Sequence, residues 1–381
     1  MSDQLDNRRQ QLEALSGKDG PLSSRSPQAS VQNRAWFGDD GRPTPQRALL
    51  HQRIVEEYLA ESPDVPRNKQ AVVIVGPPGA GKSGVRADIM ADTRTRPEQW
   101  RHLDPDAFRD RLLDSMNRDG SLSKVVQPEA AHLQPSPREL SSQLFVESAK
   151  LSNAAQKDAV ARGDNLMIEG TYSDPKRLDD LVKSLEKKGY DVHIASVEVS
   201  PADALERTQE RYRVDALMAA EPGAQGQAAM GGRFVPAESL ATHFDEQGNA
   251  RATAAAQQVA ANRSAVQSIR QYSVSDANQP ARLDSLSQRL GGMEPIDAQA
   301  YRTARAAGMI QALPASPKPA STGPANQQAG TGGQQQPGQG QGKSQGQGQG
   351  AGQGSGQSSG QGKRPQHLNR QQGGRGDQRE R

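Results

Sequence analysis

An α/β fold is predicted for this chain: a parallel sheet with helices on both faces. Three observations carry the prediction. Short apolar runs recur between helix-like stretches, the order that gives parallel strands joined by crossover helices. The first run leads into a glycine-rich loop ending in Lys-Ser, and that loop opens a helix. The apolar residues also crowd the middle of the 381-residue chain, although they make up only 33% of it.

The first run, Ala71–Val75, is apolar throughout, as suits a strand buried on both faces. Gly76-Pro77-Pro78-Gly79-Ala80-Gly81-Lys82-Ser83 follows and fits G-x-x-x-x-G-K-[ST] at every fixed position. Glycines there let successive N–H groups turn inward around phosphate oxygens at a helix N-terminus. Lys82 is placed to neutralise the β- and γ-phosphates, and the Ser83 hydroxyl to ligate Mg²⁺. The plain alternative is a glycine-rich turn with a chance lysine. The flanking strand and the helix Gly84–Thr93 argue against it. The expected class is thus P-loop NTPase or kinase, with ATP or GTP as ligand.

Further strands are expected at Gln99–Leu103, Asn165–Ile168, Val192–Val199 and Ser268–Val274. Helices are expected at Asp106–Met116, Ser136–Arg162, Pro175–Lys188 and Pro201–Ala219. Ahead of the first strand, Thr44–Leu59 reads as a helix whose Leu49, Ile54, Val55 and Leu59 form an apolar stripe. Right-handed crossovers place all strand C-termini on one edge, where open α/β sheets bind ligands.

Those strand ends carry the candidate chemistry. After the second strand, Asp104-Pro105 is a good N-cap with proline at the first helical position. Asp106 is then free to face the phosphate site as general base for an attacking hydroxyl. The alternative is that both carboxylates only complement the helix dipole. After the third strand, Glu169-Gly170-Thr171 suits a Mg²⁺-holding acid or a hydrogen-bond partner of substrate. Beyond the fourth, Arg207, Arg211 and Arg213 precede a glycine-rich stretch that leads to Gly232-Arg233-Phe234. Arginines around such a segment suit a lid closing on phosphate, with one or two of them on a solvated face.

Composition bounds the rest. There is no cysteine, so neither disulfides nor thiolate metal sites are expected. The six histidines lack metal-ligand spacing and read as ordinary surface or packing residues. No stretch is long and apolar enough for a membrane span and no secretory signal opens the chain, so a cytoplasmic protein is expected. Residues 1–34 are polar and aperiodic, and are expected to be disordered. The domain is expected over 35–290, with a helical extension or linker at 291–313. From Pro314 the chain is Gln-, Gly-, Ser- and Pro-rich, without an aromatic residue, and is expected to be a disordered tail. The tail from Ala315 holds eight basic and two acidic residues, a net of +6 against +3 for the whole chain, so the remainder is −3. It reads as a solubilising tether, with only weak contact to nucleic acid.

In ordered combination, these segments resemble the zeta-toxin family of P-loop kinases. The similar segments are Gly76–Ser83, Asp104–Phe108, Ile168–Thr171, Val197–Pro201, Glu210-Arg211-Tyr212 and Gly232–Pro236, within roughly Ala35–Asp276. The resemblance implies ATP- or GTP-dependent phosphorylation of a sugar nucleotide, the 3′-hydroxyl of UDP-N-acetylglucosamine, which starves cell-wall synthesis. It implies Asp106 as base and Lys82, Arg211 and Arg233 as phosphate clamp. Asp104, Glu169 and Thr171 fall to the acceptor. Two departures touch the acceptor side: Tyr172-Ser173-Asp174 stands where the family often has an arginine, and the segment after the D-x-D run is different. A nucleotide switch or ATPase acting on a protein, or a kinase with another acceptor, is the alternative. The family implies an antitoxin partner, but residues 1–70 do not resemble antitoxin helices. A separately encoded inhibitor, one supplied by that segment in cis, and none at all are the alternatives.

Overall fold

The computed structural model describes residues 2–314. In chain order the elements are α1 (Ser2–Leu15), α2 (Pro45–Ala60), β1 (Gln70–Val75), α3 (Lys82–Thr93), β2 (Arg101–Leu103) and α4 (Pro105–Arg118). Then come α5 (Pro128–Ala131), α6 (Phe145–Arg162), β3 (Leu166–Gly170), α7 (Pro175–Glu186), β4 (Asp191–Glu198) and α8 (Pro201–Ala220). The last are α9 (Ala237–Ala241), α10 (Arg251–Asn262), β5 (Val266–Ser273), β6 (Arg282–Gln288), β7 (Pro295–Asp297) and α11 (Ala298–Ala306).

The seven strands form one sheet in the order β2-β3-β1-β4-β5-β6-β7. The first five are parallel, and β6 and β7 extend the edge antiparallel. β1 lies between β3 and β4. The connections leaving β1 and β3 run to opposite sides of it, which makes the end of β1 a switch point of the sheet. β1 is buried on both faces because its side chains alternate. Ala71, Val73 and Val75 join a core with residues of α2, α4, α6, α7 and α10. Val72 and Ile74 join a second core with Val85 and Ile89 of α3, Ala204 of α8 and Leu240 of α9.

Several expectations are corrected. Residues 2–34 are not disordered. They form α1 and a series of turns, and Leu12 and Leu22 are buried in the core. A polar segment needs few apolar anchors when its polar groups find partners: Arg8 donates to Glu139 (2.7 Å) and to Leu133 O (2.9 Å), and Ser26 donates to Gln143 (2.9 Å). The stripe on α2 contains Ile54, Val55, Tyr58 and Leu59. Leu49 points outward and Leu50 packs on the core instead. The helix expected over Ser136–Arg162 is divided. Pro137–Leu144 makes 3₁₀ turns behind a Ser136–Glu139 capping box, and α6 starts at Phe145. Residues 291–313, expected as a helical extension or linker, do hold a helix, α11, but also the strand β7, paired to β6. Tyr301 of α11 donates to Asp92 of α3 (2.7 Å). The low-complexity tail lies outside the described residues.

Candidate active site

The site begins where β1 ends. Gly79 and Gly81 take φ of +81° and +83°, a region other residues rarely adopt. A Cβ on Gly79 would lie 2.5 Å from Ala204 O, and one on Gly81 2.8 Å from Arg207 Nη2. Glycine is therefore required at both positions by conformation, and at Gly79 also by space, because the obstacle there is backbone. Lys82, the first residue of α3, folds onto its own loop and donates to Gly76 O (3.0 Å) and Pro77 O (3.1 Å). Burial lowers its pKa, and the charges of Glu169, Asp104 and Asp106 oppose that shift.

β2 delivers the carboxylates. Asp104 is the N-cap of α4, accepting from the Asp106 N–H (2.9 Å), and Pro105 takes the first helical position. Burial raises the Asp104 pKa, and Asp106 beside it adds to the rise. Asp106 pairs with Arg109 (3.0 Å) and more closely with Arg233. Desolvation opposes its ionisation. Arg109, Arg233, Arg211 and Lys82 overcome that, and the pKa falls to about 2. Arg233 is held a second time by Asp110 (2.6 Å), which also takes Arg138 (2.8 Å). Although burial works against the charge of Arg233, Asp106, Asp110 and Asp104 raise its pKa.

β3 ends on Glu169. Its Oε1 is bracketed by Arg86 and by His102 Nε2 (2.9 Å), and these partners hold its pKa low although it is buried. His102, Asp104 and Glu169 bring ligand atoms within 4.8 Å of one another. His102 is thus part of the site, not an ordinary packing residue; its place was invisible in sequence spacing because the three groups converge from two strand ends. Carboxylate oxygens are the hard donors Mg²⁺ prefers. Thr171 follows on the same strand end, half-buried. Tyr172 sits at φ +42°, and a Cβ on Gly170 would lie 2.5 Å from its ring. The departing tyrosine therefore lies against the Glu169-Gly170 backbone.

The three arginines of α8 separate. Arg207 lies against the phosphate loop and donates to Gln279 O (3.2 Å). Arg211 faces Asp106 and Arg233, and burial lowers its pKa. Arg213 pairs with Glu210 (2.6 Å) on the exposed side and is the solvated one. Gly232 lets the next strand of backbone pass close to α8: a Cβ there would lie 2.3 Å from Tyr212 O. Phe234 meets the Tyr212 ring edge-on at 5.9 Å. The structure thus brings Lys82, Asp104, Asp106, Glu169, Arg211 and Arg233 into one charge cluster. The reading of the sequence missed Arg109, Asp110, Arg138, Arg86 and His102. Arg109 and Asp110 stand three and four residues after Asp106 on one helix face, a spacing that signals pairing.

The zeta toxin family model matches residues 55–279. No curated protein matches the chain. Among solved structures, the chain is similar to a protein of the PezAT chromosomal toxin-antitoxin system of Streptococcus pneumoniae. The identity is 16% over 61% of this chain and 79% of that one, with a TM-score of 0.41. It is also similar to a chain of the AvrRxo1-ORF1:-ORF2 structure with ATP, at 13% identity over 70% of this chain and 74% of that one, with a TM-score of 0.46. Among the described residues no helix is long and apolar enough to cross a membrane.

Proposed function

Because the chain belongs to the zeta toxin family, we propose that it is a kinase-type phosphotransferase. It moves the γ-phosphoryl of ATP or GTP to a hydroxyl of a sugar nucleotide, the 3′-hydroxyl of UDP-N-acetylglucosamine. The observation that carries the reading is the charge cluster in which the Asp106 carboxylate pairs with Arg233 and Arg109 and lies in the field of Arg211 and Lys82.

The cluster suggests how the step is prepared. Asp106 is ionised and clamped by cations. A triphosphate brings negative charge to the same arginines and offers bidentate oxygens. Arg233 and Arg211 turn to the phosphate, and Asp106 keeps Arg109 but loses two of the cations that hold its pKa down. Its proton affinity rises at the moment an acceptor hydroxyl needs a base. The hydroxyl proton passes to the carboxylate while its oxygen attacks the γ-phosphorus in line with the leaving oxygen. Lys82 leaves its loop carbonyls for the phosphates. The Ser83 hydroxyl is the group to hold Mg²⁺, which when bound neutralises phosphate charge. Asp104, Glu169 and Thr171, at the ends of β2 and β3, are the acceptor's contacts. Against burial, His102, Arg86 and Lys82 lower the Glu169 pKa, which favours the carboxylate that accepts hydrogen bonds from sugar hydroxyl or amide groups. In this reading an antitoxin is the inhibiting partner.

The test is nucleotide turnover with and without UDP-N-acetylglucosamine, followed by mass spectrometry of the sugar nucleotides. Strong stimulation and a phosphorylated sugar nucleotide are expected. Acceptor-independent turnover would favour a nucleotide switch instead.

A further inference from the structure

A cavity of about 600 Å³ lies between α1 and α8. Leu5, Asp6 and Arg9 wall one side of it, and Arg207, Arg211 and Asn278 belong to the other. Its volume falls within the range of small-molecule sites, about 300–1,000 Å³. Two of its residues are shared with the phosphate site: Arg207 lies against Gly81, and Arg211 faces Asp106.

The sheet says which half of the substrate this space suits. The acceptor groups stand at the ends of β2 and β3, on one side of β1. The cavity is bounded by α8, which follows β4, and by the segment after β5, on the other side of β1. A triphosphate seated in the loop has its ribose and base left to place, and the β4–β5 side is free of the acceptor's carboxylates. Open α/β sheets bind ligands across the end of such a switch point.

α1 is fixed independently of any ligand. Arg8 binds Glu139, itself the acceptor of the Tyr212 hydroxyl (2.7 Å). Leu12 is fully buried, and Glu13 accepts the Ala237 N–H (2.8 Å). Leu5 and Arg9, one helical turn apart, are thereby presented to the cavity as half-exposed side chains.

We propose that this cavity receives the nucleoside of the triphosphate and that α1 forms its outer wall, with Leu5 against the base and Asp6 and Arg9 at its polar edge. The proposal rests on the phosphotransferase reading above. It gives the N-terminal segment a place in substrate binding that the loop motif does not foretell.

The test compares binding of ATP and of inorganic tripolyphosphate to the full chain and to two variants, by calorimetry. Leu5→Asp alters the wall, and Arg8→Ala loosens the helix without touching the cavity. Both are expected to weaken ATP by about tenfold while tripolyphosphate stays within about twofold. Photolabelling of the unaltered chain with 8-azido-ATP is expected to mark peptides within 2–15, 206–215 or 277–278. Unchanged ATP affinity in Leu5→Asp, tighter ATP binding in Arg8→Ala (a plug, not a wall), or labelling elsewhere would overturn the proposal. An unaltered chain that binds neither ATP nor tripolyphosphate would instead remove the phosphotransferase reading, and this proposal with it.

Discussion

The two halves of the site are built differently. The phosphate half is backbone: two glycines at positive φ, a helix N-terminus, and Lys82 bonded to the carbonyls of its own loop. The other half is side chains from separate elements. Asp106 and Asp110 on α4, Arg138 from the 3₁₀ turns and Arg233 beyond α8 hold one another in place. A backbone site tolerates almost no change of residue at its glycines. A site of interlocked ion pairs can exchange partners, which the proposed release of Asp106 as a base would require.

Removing the base tests this contrast most severely. Asp106→Ala is expected to lower turnover on the order of 10²–10⁴-fold while ATP binding, measured by calorimetry, persists. Near-normal phosphoryl transfer in this variant would end its assignment as base. The corresponding change in the backbone half is Gly79→Ala. With φ at +81° and Ala204 O 2.5 Å from the new Cβ, the loop must distort. The expected cost is about 1–3 kcal/mol of stability, read by denaturant unfolding, together with loss of nucleotide binding. If Gly79→Ala binds ATP normally, the loop is not the rigid half.

Asp110→Asn probes the interlock more gently. It removes one of the two charges holding Arg233, and Arg138 loses its carboxylate too. Turnover is expected to fall about tenfold, less than for Asp106→Ala, because Asp110 positions an arginine and does not meet the reacting atoms. A drop in kcat with little change in nucleotide affinity would sharpen the contrast; a loss confined to nucleotide affinity would break it.

The same division explains what the sequence revealed. The phosphate loop was legible because a short segment supplies both its geometry and its chemistry. The parallel strands were legible as apolar runs, and Asp104 as a cap from the Asp-Pro pair. β6 was missed because it is a half-exposed strand with few apolar residues. α10 was missed although Ala255, Ala256, Val259 and Ala260 lie buried along it; its alanines carried a helix signal that went unread. Pairings such as Arg8 with Glu139, 131 residues apart, leave no local trace. Neither does the convergence of His102 with Glu169. The side-chain half is made of such pairings, so its residue types were readable and its partnerships were not.

Acid offers the finest distinction. Asp106 and Glu147 both have pKa values pushed down to about 2. For Glu147, burial opposes ionisation, and hydrogen bonds from His51 and Arg47 outweigh it. It is fully buried and holds Arg47 bidentately at 2.6 and 2.9 Å. Asp106 is 40% exposed. A carboxylate whose folded pKa is depressed stabilises the fold above its unfolded pKa, and that contribution is lost as pH falls toward the folded value. Both groups therefore act between the ordinary carboxylate range and about pH 2. Solvent screens the exposed pair and not the buried one. Unfolding by denaturant at neutral pH and near pH 3 is expected to show a large loss of acid sensitivity in Glu147→Gln and a small one in Asp106→Asn. Equal losses would mean that Asp106 braces the fold as firmly as the buried pair does, and a carboxylate so committed to structure would be a poor candidate for release as a base.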